Sequence, residues 1–152
     1  MEKAYSYLVE WSISYFKNRD LIFKKIESVE KSKGGFDFNI KFKDKEQFFI
    51  VKLIVDNDKF LERFDSEKHF GLVVANTKSN FDFVIKNWDK LVKFKHLCVY
   101  FFNPFSKLDK KWIVCPYTHN NICEKDALEK GIKSMFEMVE PLTESSVKDR
   151  FK

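Results

Sequence analysis

Glycine and proline are scarce, at 4 and 3 residues in 152, which excludes collagen-like or linker-rich organisation. Cysteine is scarcer than a disulfide framework needs. Cys98, Cys115 and Cys123 are odd in number and lack metal-type spacing, so they read as free thiols of a reducing cytoplasm. No stretch approaches the roughly 18 uncharged apolar residues of a membrane-spanning helix. The opening Met1-Glu2-Lys3-Ala4-Tyr5 has neither the basic start nor the apolar centre of a signal peptide. A cytoplasmic location without a membrane partner is the expectation. Common catalytic signatures are also missing: there is no phosphate-binding glycine loop, no Gly-x-Ser-x-Gly elbow and no His-Glu-x-x-His, and His69, His96 and His119 are scattered.

What is abundant is aromatic and charged. Phenylalanine occurs 18 times, aromatics make up 17% and apolar residues 44%, enough for one domain with a core of bulky rings. The net charge of +5 is modest. The densest basic stretch runs through Lys24, Lys25, Lys31, Lys33, Lys41 and Lys43 and on to Lys45 and Lys52. On one face these lysines would form a salt-sensitive site for DNA or RNA phosphates; the plainer reading is a solvated surface.

Periodicity predicts a helix over residues 3–17, with Ala4, Leu8, Trp11 and Tyr15 as its apolar stripe. Residues 21–31 read as a half-exposed strand, and Gly34-Gly35 as a turn. Phe36, Phe38, Ile40 and Phe42 alternate with polar residues as one face of a second strand. Residues 48–55, apolar on both faces except at Lys52, read as a central strand of an antiparallel meander. A short helix around Phe60, Leu61 and Phe64 follows, then a strand over 70–75 and a helix opened by a Ser79-x-x-Asp82 box. Strands over 96–102 and 112–117, a polar loop over 117–121 and a helix over 125–140 complete the domain at about residue 143. Residues 144–152 read as a frayed tail. The order implies an α/β domain, a mixed sheet with helices on both faces.

One constellation bears on chemistry. Glu10 lies in the first helix, Asp37 opens the strand after the glycine turn, and Lys52 sits on the next strand in Ile50-Val51-Lys52. Over roughly residues 3–75 this arrangement resembles the PD-(D/E)XK, restriction-endonuclease-like superfamily, which includes archaeal Holliday-junction resolvases. The resemblance implies an αβββαβ core, extended here by C-terminal strands and helix. It also implies a catalytic role for Asp37, Lys52 and Glu10 in phosphodiester hydrolysis, with Mg²⁺ at Asp37 and a second strand carboxylate. Ile50 stands where that second carboxylate belongs and offers no oxygen. Glu46 and Asp56 are the nearest replacements, about 20 Å and 13 Å along the strand from Lys52.

The expectation is therefore a nuclease-fold protein with a degenerate site, needing no cofactor, that binds DNA or RNA or joins a protein complex. A homodimer is suggested by analogy alone. One alternative is an active Mg²⁺-dependent nuclease with a relocated acid. Another is a protein-interaction module without nucleic acid. The bland alternatives for the residues themselves are an ion pair of Asp37 with Lys41 or Lys52, and a solvated helix face for Glu10.

Overall fold

A computed structural model describes residues 2–151. Its sheet has six strands in the order β1 (Ile26–Lys33), β2 (Phe36–Phe42), β3 (Glu46–Lys52), β4 (His69–Ala75), β5 (Leu97–Phe102) and β6 (Lys111–Val114). The first three strands form the expected antiparallel meander. β4 and β5 continue it in parallel, and β6 returns antiparallel. The sheet is mixed, as the sequence predicts.

Helix α1 (Glu2–Arg19) covers one face. Its Leu8, Val9, Ile13 and Phe16 pack on Phe38, Ile40, Phe49, Val51 and Val73. The buried stripe is rotated from the predicted one: Trp11 and Tyr15 are half-buried flanks, stacked on each other at 5.7 Å. The other face is covered by α2 (Lys78–Lys86), α3 (Trp88–Leu91) and α5 (Lys125–Met138), with a 3₁₀ turn at Lys59–Arg63 where the sequence pattern predicts a short helix. Phe49 and Val51 join one cluster while Ile50 joins the other, so β3 is buried on both sides. Full burial of such side chains is worth about 1.5–3 kcal/mol each. Gly71, the neighbour of Phe49 on β4, is small for a steric reason: a Cβ there would lie 2.4 Å from two carbons of the Phe49 ring.

Several expectations need correction. β1 begins at Ile26, and residues 21–23 form a turn instead of a strand. Phe36 packs into the cluster opposite that of Phe38 and Ile40, so alternation breaks where β2 leaves the glycine turn. Helix α2 starts earlier than predicted: Thr77 caps it by accepting the Asn80 N–H at 3.2 Å, and Asp82 pairs with Lys78. Pro116, expected in an edge strand, opens α4 (Pro116–Ile122), because a helix's first position has no use for a backbone N–H.

The residues predicted to fray form α6 (Glu144–Arg150), with a Thr143–Ser146 capping box and Val147 only 1% exposed; Lys152 lies outside the described residues. This segment is tied down by buried asparagines. Asn76 donates to the Val139 carbonyl at 2.9 Å and accepts from the Trp112 indole N–H at 2.7 Å, while its own backbone carbonyl accepts the Leu142 N–H at 2.8 Å. Asn103 donates to the Glu140 carbonyl at 2.6 Å.

The free-thiol reading also fails for two cysteines. Val99 pairs with Val114 across β5 and β6, which places Cys98 opposite Cys115, and the two form a disulfide. Cys123 is exposed and free. With two of the three thiols joined, cysteine usage no longer argues for a reducing compartment. Among the described residues no helix is long and apolar enough to cross a membrane.

Two outcomes are expected. Gly71→Ala should lower unfolding free energy by about 1–3 kcal/mol in urea titration, the range for overpacking a filled core. Alkylation of the denatured, unreduced protein should label Cys123 alone by peptide mass mapping, and all three cysteines after reduction.

Candidate functional site

Two glycines with positive φ, Gly34 at 64° and Gly35 at 83°, turn the chain from β1 into β2 and deliver Asp37 beside the C-terminal end of β3. The β2–β3 ladder runs only as far as the Phe38/Phe49 pair. One step beyond it, the Asp37 side chain takes over the role of backbone: its Oδ2 accepts the Val51 N–H at 2.7 Å. Its Oδ1 accepts the hydroxyl of Tyr5, from the start of α1. Both carboxylate oxygens are thus engaged, one by the sheet and one by the helix. The Tyr5 phenol is held well above the ordinary tyrosine range, first by burial, then by its hydrogen bond to Asp37 and that group's charge.

The other residues of the sequence constellation go elsewhere. Ile50 is 1% exposed and packs in the cluster containing Leu72, Val74 and Phe101. Lys52 is half-buried, with its ammonium 6.0 Å from the centre of the Phe60 ring. Glu10 pairs with Lys31 at the exposed surface. Neither Lys41 nor Lys52 pairs with Asp37, so the ion-pair alternative for Asp37 does not hold among the described residues. Asp37, Lys52 and Glu10 therefore have three separate sets of partners.

The replacement acids are no better placed. Glu46 lies at the far end of β3, opposite Lys41, and accepts from the Asn39 amide. Asp56 is exposed beyond the strand and accepts from the Asn57 amide at 3.1 Å. Among the described residues no group of three or more His, Cys, Asp or Glu side chains comes together as a metal site. A hard cation needs open oxygen ligands. At Asp37 each oxygen already accepts a hydrogen bond, and no second acid stands beside it because Ile50 supplies no oxygen, so these residues are a poor fit for Mg²⁺.

The basic stretch divides in two. Lys31 pairs with Glu10, and Lys33 with Glu30 at 3.1 Å. Lys24 and Lys25 sit exposed in the turn after α1, and the Lys43 N–H donates to the Lys25 carbonyl at 3.0 Å, bringing the β2–β3 turn alongside. Lys41 projects from β2, exposed and without an ion pair among the described residues. Next to Lys25 is an open cavity of about 460 Å³ at the N-terminal edge of β3, β4 and β5, lined by Arg19, Phe23, Lys45, His69, His96 and Tyr100 among others. The two imidazoles stack at 4.2 Å. Burial, and then the charge of His96 and Lys45, hold the His69 pKa below the ordinary histidine value.

Sequence reasoning missed Tyr5, the buried asparagines and this histidine pair. Tyr5 had a faint signal, since it stands one residue from Ala4 and three from Leu8 on the inward side of α1. The histidines had none, being far apart in the chain until β4 and β5 align their starts.

Comparison of the chain with protein-family models, curated proteins and solved structures returns no match.

Removing the Asp37 carboxylate leaves the Val51 N–H and the Tyr5 hydroxyl unpaired. Asp37→Ala should therefore cost about 1–3 kcal/mol in urea unfolding. The double variant with Tyr5→Phe should lose less than the sum of the single losses, because the two side chains share one hydrogen bond.

Proposed function

We propose that the chain is a nucleic-acid-binding protein on a nuclease-like scaffold whose metal site has become structural. The observation that carries this reading is the state of Asp37: the residue that the resemblance casts as a metal ligand holds the end of the β2–β3 ladder and α1 together. The element order α1, β1, β2, β3, 3₁₀ turn, β4 is in keeping with the resemblance over residues 3–75. Binding falls to the lysines that carry no ion pair among the described residues, Lys24, Lys25, Lys41 and Lys43, and less to Lys31 and Lys33, whose charge is met by glutamates. Such binding is electrostatic: it releases counterions from the phosphate backbone and weakens steeply with salt. Because no second acid joins Asp37, the protein acts by occupying nucleic acid or by delivering it to a partner in a complex.

The test is fluorescence anisotropy with labelled duplex and single-stranded DNA and RNA, titrated at several salt concentrations. Binding should be measurable at low salt. Replacing Lys24, Lys25 and Lys43 by alanine should make the slope of log K against log salt shallower by about 0.9 for each duplex phosphate that is no longer neutralised. The same change at Lys31 and Lys33 should have a smaller effect. No binding to any of these ligands at low salt would overturn the reading in favour of a protein-interaction module. Mg²⁺-dependent cleavage abolished by Asp37→Ala would overturn it in favour of a working nuclease.

A further inference from the structure

The turn between α1 and β1 presents Leu21, Ile22 and Phe23 to solvent at 68%, 87% and 68% exposure. Three adjacent large apolar side chains left in water gain little from folding, and an exposed patch of this kind marks a surface that something else covers. The turn is not slack. The Asp20 carboxylate accepts the backbone N–H of Lys25 at 2.9 Å and of Ile26 at 2.8 Å. The Lys24 N–H donates to the Asp20 carbonyl at 2.8 Å, and Lys24 adopts a left-handed φ of 51°. A non-glycine residue in that region and a fully used carboxylate hold the three side chains outward as a short, firm tip.

Cations surround the tip. Arg19, Lys24 and Lys25 flank it in sequence and are exposed, and Lys43 is held beside Lys25 by a backbone hydrogen bond. Lys45 lines the adjoining cavity together with Phe23. None of these five has an ion-pair partner among the described residues. The acids on the cavity wall are Asp20, whose carboxylate accepts two backbone N–H groups, and Asp44, and Glu27 is exposed at the start of β1.

We infer that residues Leu21–Phe23 form an apolar wedge that enters a base step of duplex DNA while Arg19, Lys24, Lys25, Lys43 and Lys45 contact the flanking phosphates. The inference rests on the nucleic-acid-binding reading above and names the ligand and the surface. Leu, Ile and Phe are the side-chain types that part stacked bases, and the unstacking they require is offset by the contacts that a kinked duplex makes with neighbouring cations. Three competing occupants fit less well. A single-strand platform stacks successive bases on aromatic rings, and two of these three residues are aliphatic. Bilayer binding scales with buried apolar area, and even one myristoyl chain binds only marginally; three turn residues are a small anchor. A second copy of the chain would bring the same cations face to face across a two-fold axis.

The experiment uses the full chain and a short duplex carrying 2-aminopurine, whose fluorescence rises when its neighbours unstack. Wild type should bind and raise the fluorescence. Leu21→Ser/Ile22→Ser/Phe23→Ser should keep the wild-type melting temperature, because these side chains support no core. It should abolish the fluorescence rise and weaken binding by about tenfold. Should the triple variant not fold, Ile22→Ser alone carries the comparison, at the most exposed of the three positions. Wild-type binding with no fluorescence change, or with a response that the variant retains, would overturn the wedge and leave nucleic-acid binding standing. Absence of any binding at low salt would remove both. A parallel arm with phosphatidylserine–phosphatidylcholine vesicles separates the remaining source: tip-dependent sedimentation with vesicles and none with DNA would overturn the wedge in favour of a lipid surface.

Discussion

A strand that is apolar on both faces has to be covered twice, and β3 meets that condition with Phe49 and Val51 toward α1 and Ile50 toward the opposite layer. Covering it fixes much of the architecture. One helix must cross one face, and the segments after β4 must close the other. The cost of the arrangement is room. Phe49 lies so close to β4 that only a hydrogen fits at Gly71, and Ile50 is sealed within its cluster. A carboxylate at position 50 would have to be buried among Leu72, Val74 and Phe101 or break that layer open, and an unpaired buried charge is far more expensive than a hydrocarbon.

Asp37, on the neighbouring strand, serves the same packing, and its oxygens accept from the donors around it. The backbone N–H of Val51 and the hydroxyl of Tyr5 satisfy one oxygen each. A single side chain thereby extends a β-ladder and docks a helix at the same point. The unpaired cations around the cavity lie at the other end of the sheet, near the α1–β1 turn and the starts of β4 and β5. The Asp37 anchor and this cationic end are thus separated along β3 by its own length.

How much of this was legible depended on whether the signal was local. The meander over β1 to β3 was readable because glycine turns and two-residue alternation are short-range patterns, and α5 because Leu128 and Ile132 stand at helical spacing, although the buried residue of the next turn is Phe136 and the expected Met135 is exposed. Alternation fails at Phe36, where the chain has barely left two positive-φ glycines and has not settled into the pleat. The last helix resembles a tail in sequence because its polar residues form a capping box and its anchoring comes from Asn76 and Asn103, far away along the chain. The Cys98–Cys115 bond was invisible for a similar reason: only the β5–β6 register brings the two together. At the candidate site, the sequence identified Asp37, Ile50 and Lys52 as residues to watch, but not that Asp37 would turn to Tyr5 of α1 while Ile50 and Lys52 face the opposite layer beside Phe60. Side-chain direction there is set by the end of a ladder and by a tyrosine on a helix, neither of which has a sequence period.

The docking of α6 has a topological consequence. Ala4 of α1 and Val147 of α6 share one small apolar cluster with Ala75 and Leu142, and the Tyr7 ring meets that of Phe151 at 5.4 Å. The two ends of the described chain therefore emerge from a single corner. Polypeptide attached at either end would leave from that corner, well away from the α1–β1 turn at the opposite end of α1, and a short bridge between the ends would make a circular permutation of this fold geometrically simple.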